Sequence, residues 1–431
     1  MIRLIQFYKN NIVSNKERKQ LAENIFSLGV LQALNYILPL ITFPYTIRII
    51  GPEKYGLLAF ASATISYFQV IIEFGFNLTA PKSISINRDD KSKLSEIFSA
   101  IIIIKIVLYI LSLFLLTILL IFIKKFNDDW LIYILTYSVI FGQIFFPVWF
   151  FQGMEKMRYI TIFNVIARFI STPLIFLVIK VERDFYKIPI LNALSNIVIG
   201  ISSLVILYKE FKIKFKILHS SILIKYFIEA WPIFISRLAT SMYTISTTFI
   251  LGLFTSNTIV GYYSAADKII QIAKSFNNPL SQSLYPFITR RVKDNSKNGL
   301  IIIRKITLYV GLGNGLISIL ILLFSKMIIN TLMGSNMYQS IVPLRIMSFL
   351  PLIISLSNIF GVQTLIPFGK IKAFSSILIS GSILNIIFSL ILVPKYQHIG
   401  SAISVTLVET FITLTMLIYL QNHDLHVIKI S

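Results

Sequence analysis

Long apolar runs separated by short polar segments fill this chain from end to end. A helix needs about 20 predominantly apolar residues to cross the hydrocarbon core of a bilayer. Twelve such runs are present, at approximately 22–47, 57–76, 97–123, 131–151, 159–179, 188–208, 226–251, 258–288, 301–324, 341–366, 373–393 and 399–420. The pattern predicts an all-α polytopic membrane protein of twelve transmembrane helices. The eighth run is the least hydrophobic, and a hydropathy scan alone would drop it. No connecting segment is long enough for a soluble domain. Residues 1–21 are polar and basic, and no short apolar core with a small-residue cleavage site follows them. The N-terminus therefore reads as an uncleaved segment, not a signal peptide.

Inside the runs the polar residues are ordered. In span two Ser62, Ser66, Gln69, Glu73 and Asn77 recur every three or four residues, which sets them on one helical face. In span eight Ser264, Asp267, Gln271, Lys274, Asn278 and Gln282 do the same. An offset of 205 carries the first five onto the last five. The same offset carries Gly56-Leu57-Leu58-Ala59-Phe60-Ala61 onto Gly261-Tyr262-Tyr263-Ser264-Ala265-Ala266, Pro81 onto Pro286, and Asp89 onto Asp294. A further echo joins Gln152-Gly153-Met154-Glu155-Lys156 to Phe368-Gly369-Lys370-Ile371-Lys372. The order is that of a duplication: an N-lobe (22–208) and a C-lobe (226–420) of six spans each. A basic linker (209–225) joins the lobes, and a tail (421–431) follows. Six is even, so both halves enter the membrane with the same polarity. Such parallel repeats commonly enclose the substrate path between them.

Lipid cannot satisfy a polar face, because each unpaired group in hydrocarbon costs several kcal/mol. The stripes are expected to line a water-filled cavity; the alternative is a polar helix–helix seam. Asp267, Lys268 and Lys274 within two turns favour the cavity. Span seven carries Ser236, Thr240, Ser241, Tyr243, Thr244, Ser246, Thr247 and Thr248, read mostly as interhelical glue. Arg237, toward one end of that span, is open between a cavity role and snorkelling to the interface. Arg168 and Arg345 are further candidates for substrate contact, and Lys105 a weaker one. Each of the three could also be ion-paired or snorkelling. Glu409, then Asp267, are candidate ion-coupling groups, with a structural counter-ion role as the alternative. Glu73 and Glu229 lie close to span ends. Pro39, Pro44, Pro147, Pro173, Pro232 and Pro351 predict kinks.

Composition sharpens this. Of 431 residues 56% are hydrophobic and only 13% charged, yet Lys+Arg 40 against Asp+Glu 18 gives a net charge of +22. In a soluble protein that surplus would suggest nucleic acid. Here most of it lies in loops. With the N-terminus placed inside, the inner segments hold 25 Lys and Arg, counting Arg304 and Lys305 at the mouth of span nine, and the outer loops 9. This positive-inside bias puts both termini in the cytoplasm and removes the case for a nucleic-acid partner. Within the spans, six cations face Glu73, Glu229, Asp267 and Glu409, a balance suited to an anionic group. There is no cysteine and no phosphate-binding loop, and the four histidines fall in loops or the tail. His423 and His426 read as solvated surface. No catalytic constellation, metal site or cofactor is expected.

Two stretches carry a family resemblance. Ile50-Gly51-Pro52-Glu53-Lys54-Tyr55-Gly56-Leu57-Leu58 resembles the start of bacterial polysaccharide repeat-unit (Wzx-type O-antigen) flippases, and Pro147-Val148-Trp149-Phe150-Phe151-Gln152-Gly153-Met154-Glu155-Lys156-Met157-Arg158-Tyr159 resembles a second part of them. These belong to the multidrug/oligosaccharidyl-lipid/polysaccharide exporter superfamily. The resemblance spans essentially the whole chain and implies a MATE-like fold in the bacterial cytoplasmic (inner) membrane. It also implies transfer of an undecaprenyl-diphosphate-linked oligosaccharide between leaflets by rocking of the lobes. Arg237, Lys268 and Lys274 would then hold the diphosphate, with the stripes replacing water around the sugars. Membrane lipids, a polysaccharide polymerase and chain-length machinery are the implied partners. The energy source stays open. An ion-coupled multidrug exporter of the same superfamily is the alternative. A membrane glycosyltransferase or polymerase would need a longer catalytic loop, and a scaffold would not need the stripes.

Overall fold

The computed structural model describes residues 15–427, with side chains from Leu38 onward except that of Tyr243. Most of the N-terminal segment 1–21 and the hydroxyl of Tyr243 thus fall outside the described residues. All regular structure among the described residues is helical; beside short segments at Lys124–Asn127, Glu182–Tyr186, Ser335–Ser340 and Gly361–Leu365 it consists of α1 (Asn15–Glu73), α2 (Phe76–Ile86), α3 (Lys91–Phe122), α4 (Trp130–Ile144), α5 (Val148–Gly153), α6 (Met157–Val178), α7 (Lys187–Lys209), α8 (Ser220–Thr244), α9 (Ser246–Phe254), α10 (Asn257–Ser275), α11 (Asn277–Asp294), α12 (Ser296–Met333), α13 (Ile341–Met347), α14 (Leu350–Phe360) and α15 (Ile371–Gln421). α1 is broken at Gly51 (φ 72, ψ 174) and α15 at Gln397 (φ 50, ψ −127), so each supplies two of the expected spans.

Among the described residues, eight helical stretches are long and apolar enough to cross a membrane. Two of them, Leu38–Ile86 and Ile371–Gln421, contain a break and cover two expected spans each. The expected spans outside the eight are seven and eight. The weakness of span eight was anticipated; that of span seven was not. Lys225, Glu229, Arg237 and the hydroxyls lower its hydropathy, and a break at Ile245 separates α8 from α9. The prolines act unevenly. Pro147 caps α5 after a true interruption, and Pro351 starts α14, where its missing N–H costs nothing. Around Pro39, Pro44, Pro173 and Pro232 the backbone keeps helical φ/ψ.

Two compact units divide the chain. The first runs to Phe43 and takes in Ile65–Lys180 and Tyr186–Leu238; the second takes in Pro44–Thr64, Val181–Phe185 and Ala239–Ser431. In lipid no hydrophobic drive brings helices together, so close backbone approach at small residues matters. In the first unit Gly142 and Gly200 let α4 and α7 touch: a Cβ on Gly142 would lie 2.4 Å from backbone atoms of Asn196 and Ile197. In the second unit the duplicated glycines meet each other's segments. A Cβ on Gly56 would lie 1.7 Å from the Asn257 carbonyl oxygen and 2.5 Å from the Gly261 nitrogen. One on Gly261 would lie 2.0 Å from the Pro52 oxygen. Of the other duplicated marks, Pro81 sits inside α2 and Pro286 inside α11.

Candidate functional site

A helix break interrupts the polar stripe of span two before its last member, Asn77, so the five residues do not share one continuous helical face. Glu73 is the last residue of α1; Phe74 (φ 46) and Gly75 (φ 80) then leave the helical region, and α2 resumes at Phe76. Aromatic side chains of α8 hold Phe74 in place, with Phe227 stacked at 4.2 Å, Phe234 at 4.5 Å and Trp231 at 5.9 Å between ring centroids. Gly75 is required there, because a Cβ would meet Ile233 at 2.7 Å. Beside the break the Glu73 carboxylate accepts from the Gln69 amide at 3.1 Å and the Asn77 amide at 3.0 Å, one oxygen to each. Lys105 of α3 is 5% exposed and lies within electrostatic reach of Glu73. The sequence ranked Lys105 low. Its burial depends on neighbours that hydropathy does not reveal.

The stripe of span eight divides between two tasks. Gln271, Asn278 and Gln282 are exposed, while Asp267, Lys268 and Lys274 are half-buried. Gln271 donates to Asp267 at 2.6 Å, and Lys268 and Lys274 both lie within electrostatic reach of that carboxylate. Residues beside the stripe build a seam. Asn277 and Asn314 exchange amide hydrogen bonds at 2.9 and 3.0 Å, and Ser281 donates to Asn358 at 2.8 Å and accepts from Gln363 at 2.9 Å. On α11 the exposed Asn278 and Gln282 therefore lie beside the seam residues Asn277 and Ser281. In span two, Ser62 is exposed and Ser66 half-buried.

Arg237 is not near a span end. It lies seventeen residues from each end of the helical segment formed by α8 and α9, 220–254. It is exposed, and no hydrogen bond or ion pair joins its guanidinium to another described residue. Mid-segment is too far from either end for the roughly 6 Å reach of a side chain to make snorkelling a natural solution. α8 presents two uncovered faces. Ile224, Ile228, Trp231, Ile235 and Met242 make an exposed apolar stripe; Ser236, Arg237, Thr240 and Thr244 make an exposed polar one on the other side. The first suits lipid and the second needs water.

Arg168 is half-buried, and its guanidinium has no hydrogen-bond or ion-pair partner among the described residues. Arg345 is exposed and donates to Ser325 at 2.8 Å. Glu409 is half-buried, and Thr413 donates to its backbone oxygen at 2.8 Å. Arg168 belongs to the first unit, and Arg345, Glu409, Lys268 and Lys274 belong to the second. The glue role anticipated for span seven is visible at Ser246 and Thr247. Both accept from the amide of the buried Asn385, at 3.0 and 3.2 Å. No group of three or more metal-ligating side chains is present among the described residues.

The two family-like stretches are structural. Gly51 breaks the chain and Gly56 meets Gly261, as described above. In the second stretch Arg88 donates to the Gly153 oxygen at 2.8 Å and pairs with Glu155 at 2.5 Å, holding the turn between α5 and α6.

A family model described as "Polysaccharide biosynthesis protein" matches residues 21–292. A protein of Escherichia coli (strain K12) named "Putative O-antigen transporter" is 33% identical over 411 residues, 95% of this chain and 99% of the relative. Among solved structures, an inward-facing multidrug resistance MATE family transporter of the MOP superfamily aligns with a TM-score of 0.67 at 13% identity. It covers 95% of this chain and 99% of that one. The lipid II flippase MurJ, in an inward closed conformation, aligns with a TM-score of 0.65 at 15% identity over 91% and 87%. At such identities the two structures speak for the fold, an all-α MATE-like architecture of parallel repeats. The sequence matches go further: this multi-pass membrane protein belongs to the polysaccharide biosynthesis protein family.

Proposed function

We propose that this chain is a flippase of the bacterial cytoplasmic membrane. It carries an undecaprenyl-diphosphate-linked oligosaccharide, an O-antigen or similar repeat unit, from the cytoplasmic to the periplasmic leaflet. The observation that carries the reading is the polar exposed face of α8, with Arg237 at mid-segment. A cation held there without a protein partner suits a passage for an anionic, hydrated headgroup. The exposed amides of Gln271, Asn278 and Gln282 support it, since they can replace water around sugar hydroxyls. The relative named for O-antigen transport supports the same substrate class.

In this reading Lys268, Lys274 and Arg237 engage the diphosphate through charge-assisted hydrogen bonds, with Arg168 and Arg345 as later contacts. The polyprenyl tail stays in lipid. The N-lobe (22–208) and C-lobe (226–420) alternate between inward and outward access, both termini remain cytoplasmic, and Asp267 and Glu409 are the groups available for ion coupling. A polymerase and chain-length machinery take up the product. Deleting the gene in its host tests this. Surface polysaccharide should disappear, lipid-linked units should accumulate on the cytoplasmic leaflet, and a plasmid copy should reverse both. Undiminished surface polymer in a deletion strain that encodes no second flippase would overturn the reading.

A further inference from the structure

The basic linker between the lobes is tied to α3. Beyond α7, the left-handed backbone of Lys212 (φ 59) lets the Ile213 N–H reach back to the Leu207 oxygen at 3.1 Å. Two buried serines then take up the chain. Ser95 accepts from the Lys214 N–H at 3.1 Å and Ser99 from the Lys216 N–H at 2.8 Å. Each hydroxyl donates in turn to the backbone of α3, Ser95 to the Lys91 oxygen and Ser99 to the Ser95 oxygen. Serines four apart on a helix stand about 6 Å apart along its axis, close to the rise of two residues in extended backbone. The linker therefore runs extended along the first turns of α3, with its lysines and its apolar residues on opposite faces.

The direction of that run sets its depth. α3 starts at Lys91 and its apolar run begins near residue 97, so the linker passes from the polar mouth of span three at Ser95 to the edge of the hydrocarbon at Ser99. Lys216 turns back from that edge, and its ammonium donates to the Ser92 hydroxyl at 2.9 Å. Ile213 is buried, but Phe215 is 56% and Ile217 94% exposed. They lead toward the exposed Ile224 and Ile228 of α8, so the apolar stripe of that helix continues one already begun in the linker. Lys209, Lys212, Lys214 and Lys225 are exposed too, and no hydrogen bond or ion pair joins their ammoniums to another described residue. Glu210, the one acid of the linker, accepts from Tyr159.

We infer that residues 209–225 form a docking strip for anionic phospholipid headgroups, with Phe215 and Ile217 seated at the boundary between headgroups and acyl chains. Unpaired lysines at a membrane surface attract lipid phosphates, and apolar side chains among them add burial. With the termini inside, the strip meets the cytoplasmic leaflet. The inference goes beyond transport and stands whatever the chain carries: lipid held here fixes the depth of the segment that joins the lobes.

The chain contains no cysteine, so a single spin label can be placed in it. Ile217→Cys, labelled, is reconstituted one copy per nanodisc in phosphatidylcholine alone and in phosphatidylcholine with phosphatidylglycerol. Collision with oxygen, which concentrates among acyl chains, is compared with collision with a water-soluble nickel chelate. With phosphatidylglycerol the label should favour oxygen; without it the balance should shift toward nickel. Asn298→Cys, an exposed polar position in another loop, should favour nickel in both. Lys209→Gln, Lys212→Gln, Lys214→Gln and Lys225→Gln combined should remove the difference between the lipids. In detergent the same variant should bind short-chain phosphatidylglycerol at least about tenfold more weakly than wild type, with its unfolding temperature unchanged.

Three results would overturn the inference. A label at position 217 that favours nickel with phosphatidylglycerol present makes the segment a solvated loop. Equal oxygen preference in both lipids, or a difference that survives in the four-lysine variant, leaves an apolar contact without recognition of anionic lipid. A label shielded from both reagents shows that protein covers the strip.

Discussion

The crossing of the two duplicated glycines can be broken with one methyl group. Replacing Gly56 by Ala puts a Cβ 1.7 Å from the Asn257 carbonyl oxygen, where ordinary contact begins at 3.4 Å, and 2.5 Å from the Gly261 nitrogen. Both obstacles are backbone, so no rotamer change relieves the overlap; the two segments have to separate by well over an ångström. Overpacking of a tight site costs about 1–3 kcal/mol, and an obstacle made of backbone places this substitution at the upper end. Gly313→Ala is the control. Gly313 lies inside α12, and a Cβ there meets nothing within 4 Å. Removing a helical glycine is favourable by up to about 1 kcal/mol, so the two substitutions should differ in sign. The assay is the unfolding temperature of each purified variant in detergent, read as the surviving monodisperse fraction after heating. Gly56→Ala should unfold well below wild type and Gly313→Ala at or above it. A Gly56→Ala protein as stable as wild type would refute the close crossing, and with it the packing account of the Gly56-to-Ala61 motif.

Other substitutions separate chemistry from packing. Lys268→Ala with Lys274→Ala should abolish surface polysaccharide while membrane levels of the protein stay normal; full surface polymer would remove these two from the diphosphate site. Arg237→Ala should reduce transport at least tenfold with little change in unfolding temperature, because the guanidinium has no described protein partner to lose, whereas Arg237→Lys should keep part of the activity. A fall in stability that matches the fall in transport would assign Arg237 to packing instead. Asn385→Val should destabilise by about 1–3 kcal/mol, since it strips the buried Ser246 and Thr247 hydroxyls of their shared partner; an unchanged unfolding temperature would show that the cluster contributes nothing net.

Much of the architecture was legible because it follows from local chemistry. Apolar run length gave the helices, and the offset of 205 picked out Gly56 and Gly261 before their contact was visible. What stayed hidden depends on distant neighbours. The break after Glu73 is held by aromatic side chains of α8, some 150 residues further on, and only Gly75 hinted at it. Lys105 read as an ordinary charge in a span because its burial is made by other helices. Arg237 was misplaced for a different reason. Run limits of 226–251 already leave it eleven residues from one end and fourteen from the other, and the helical segment 220–254 leaves it seventeen from each, so the reading as an end residue was an error of placement and not of pattern. The stripe in span eight was legible as a face, but a face is about 100° wide. The sequence pattern does not separate Gln271 and Asn278, which are exposed, from Asn277 and Ser281, which hold α11 to its neighbours.

The central claim is that this chain moves a lipid-linked oligosaccharide between leaflets. Its most direct test is purified protein in proteoliposomes loaded with fluorescent undecaprenyl-diphosphate oligosaccharide, with a membrane-impermeant quencher added outside. Flipping during the assay predicts that vesicles with wild-type protein lose fluorescence beyond the initially accessible fraction. Protein-free vesicles, and vesicles carrying the Lys268→Ala/Lys274→Ala variant, should stop at that fraction. Wild-type vesicles that stop with the protein-free control, with the protein folded and every candidate coupling ion supplied in a gradient, would contradict the account.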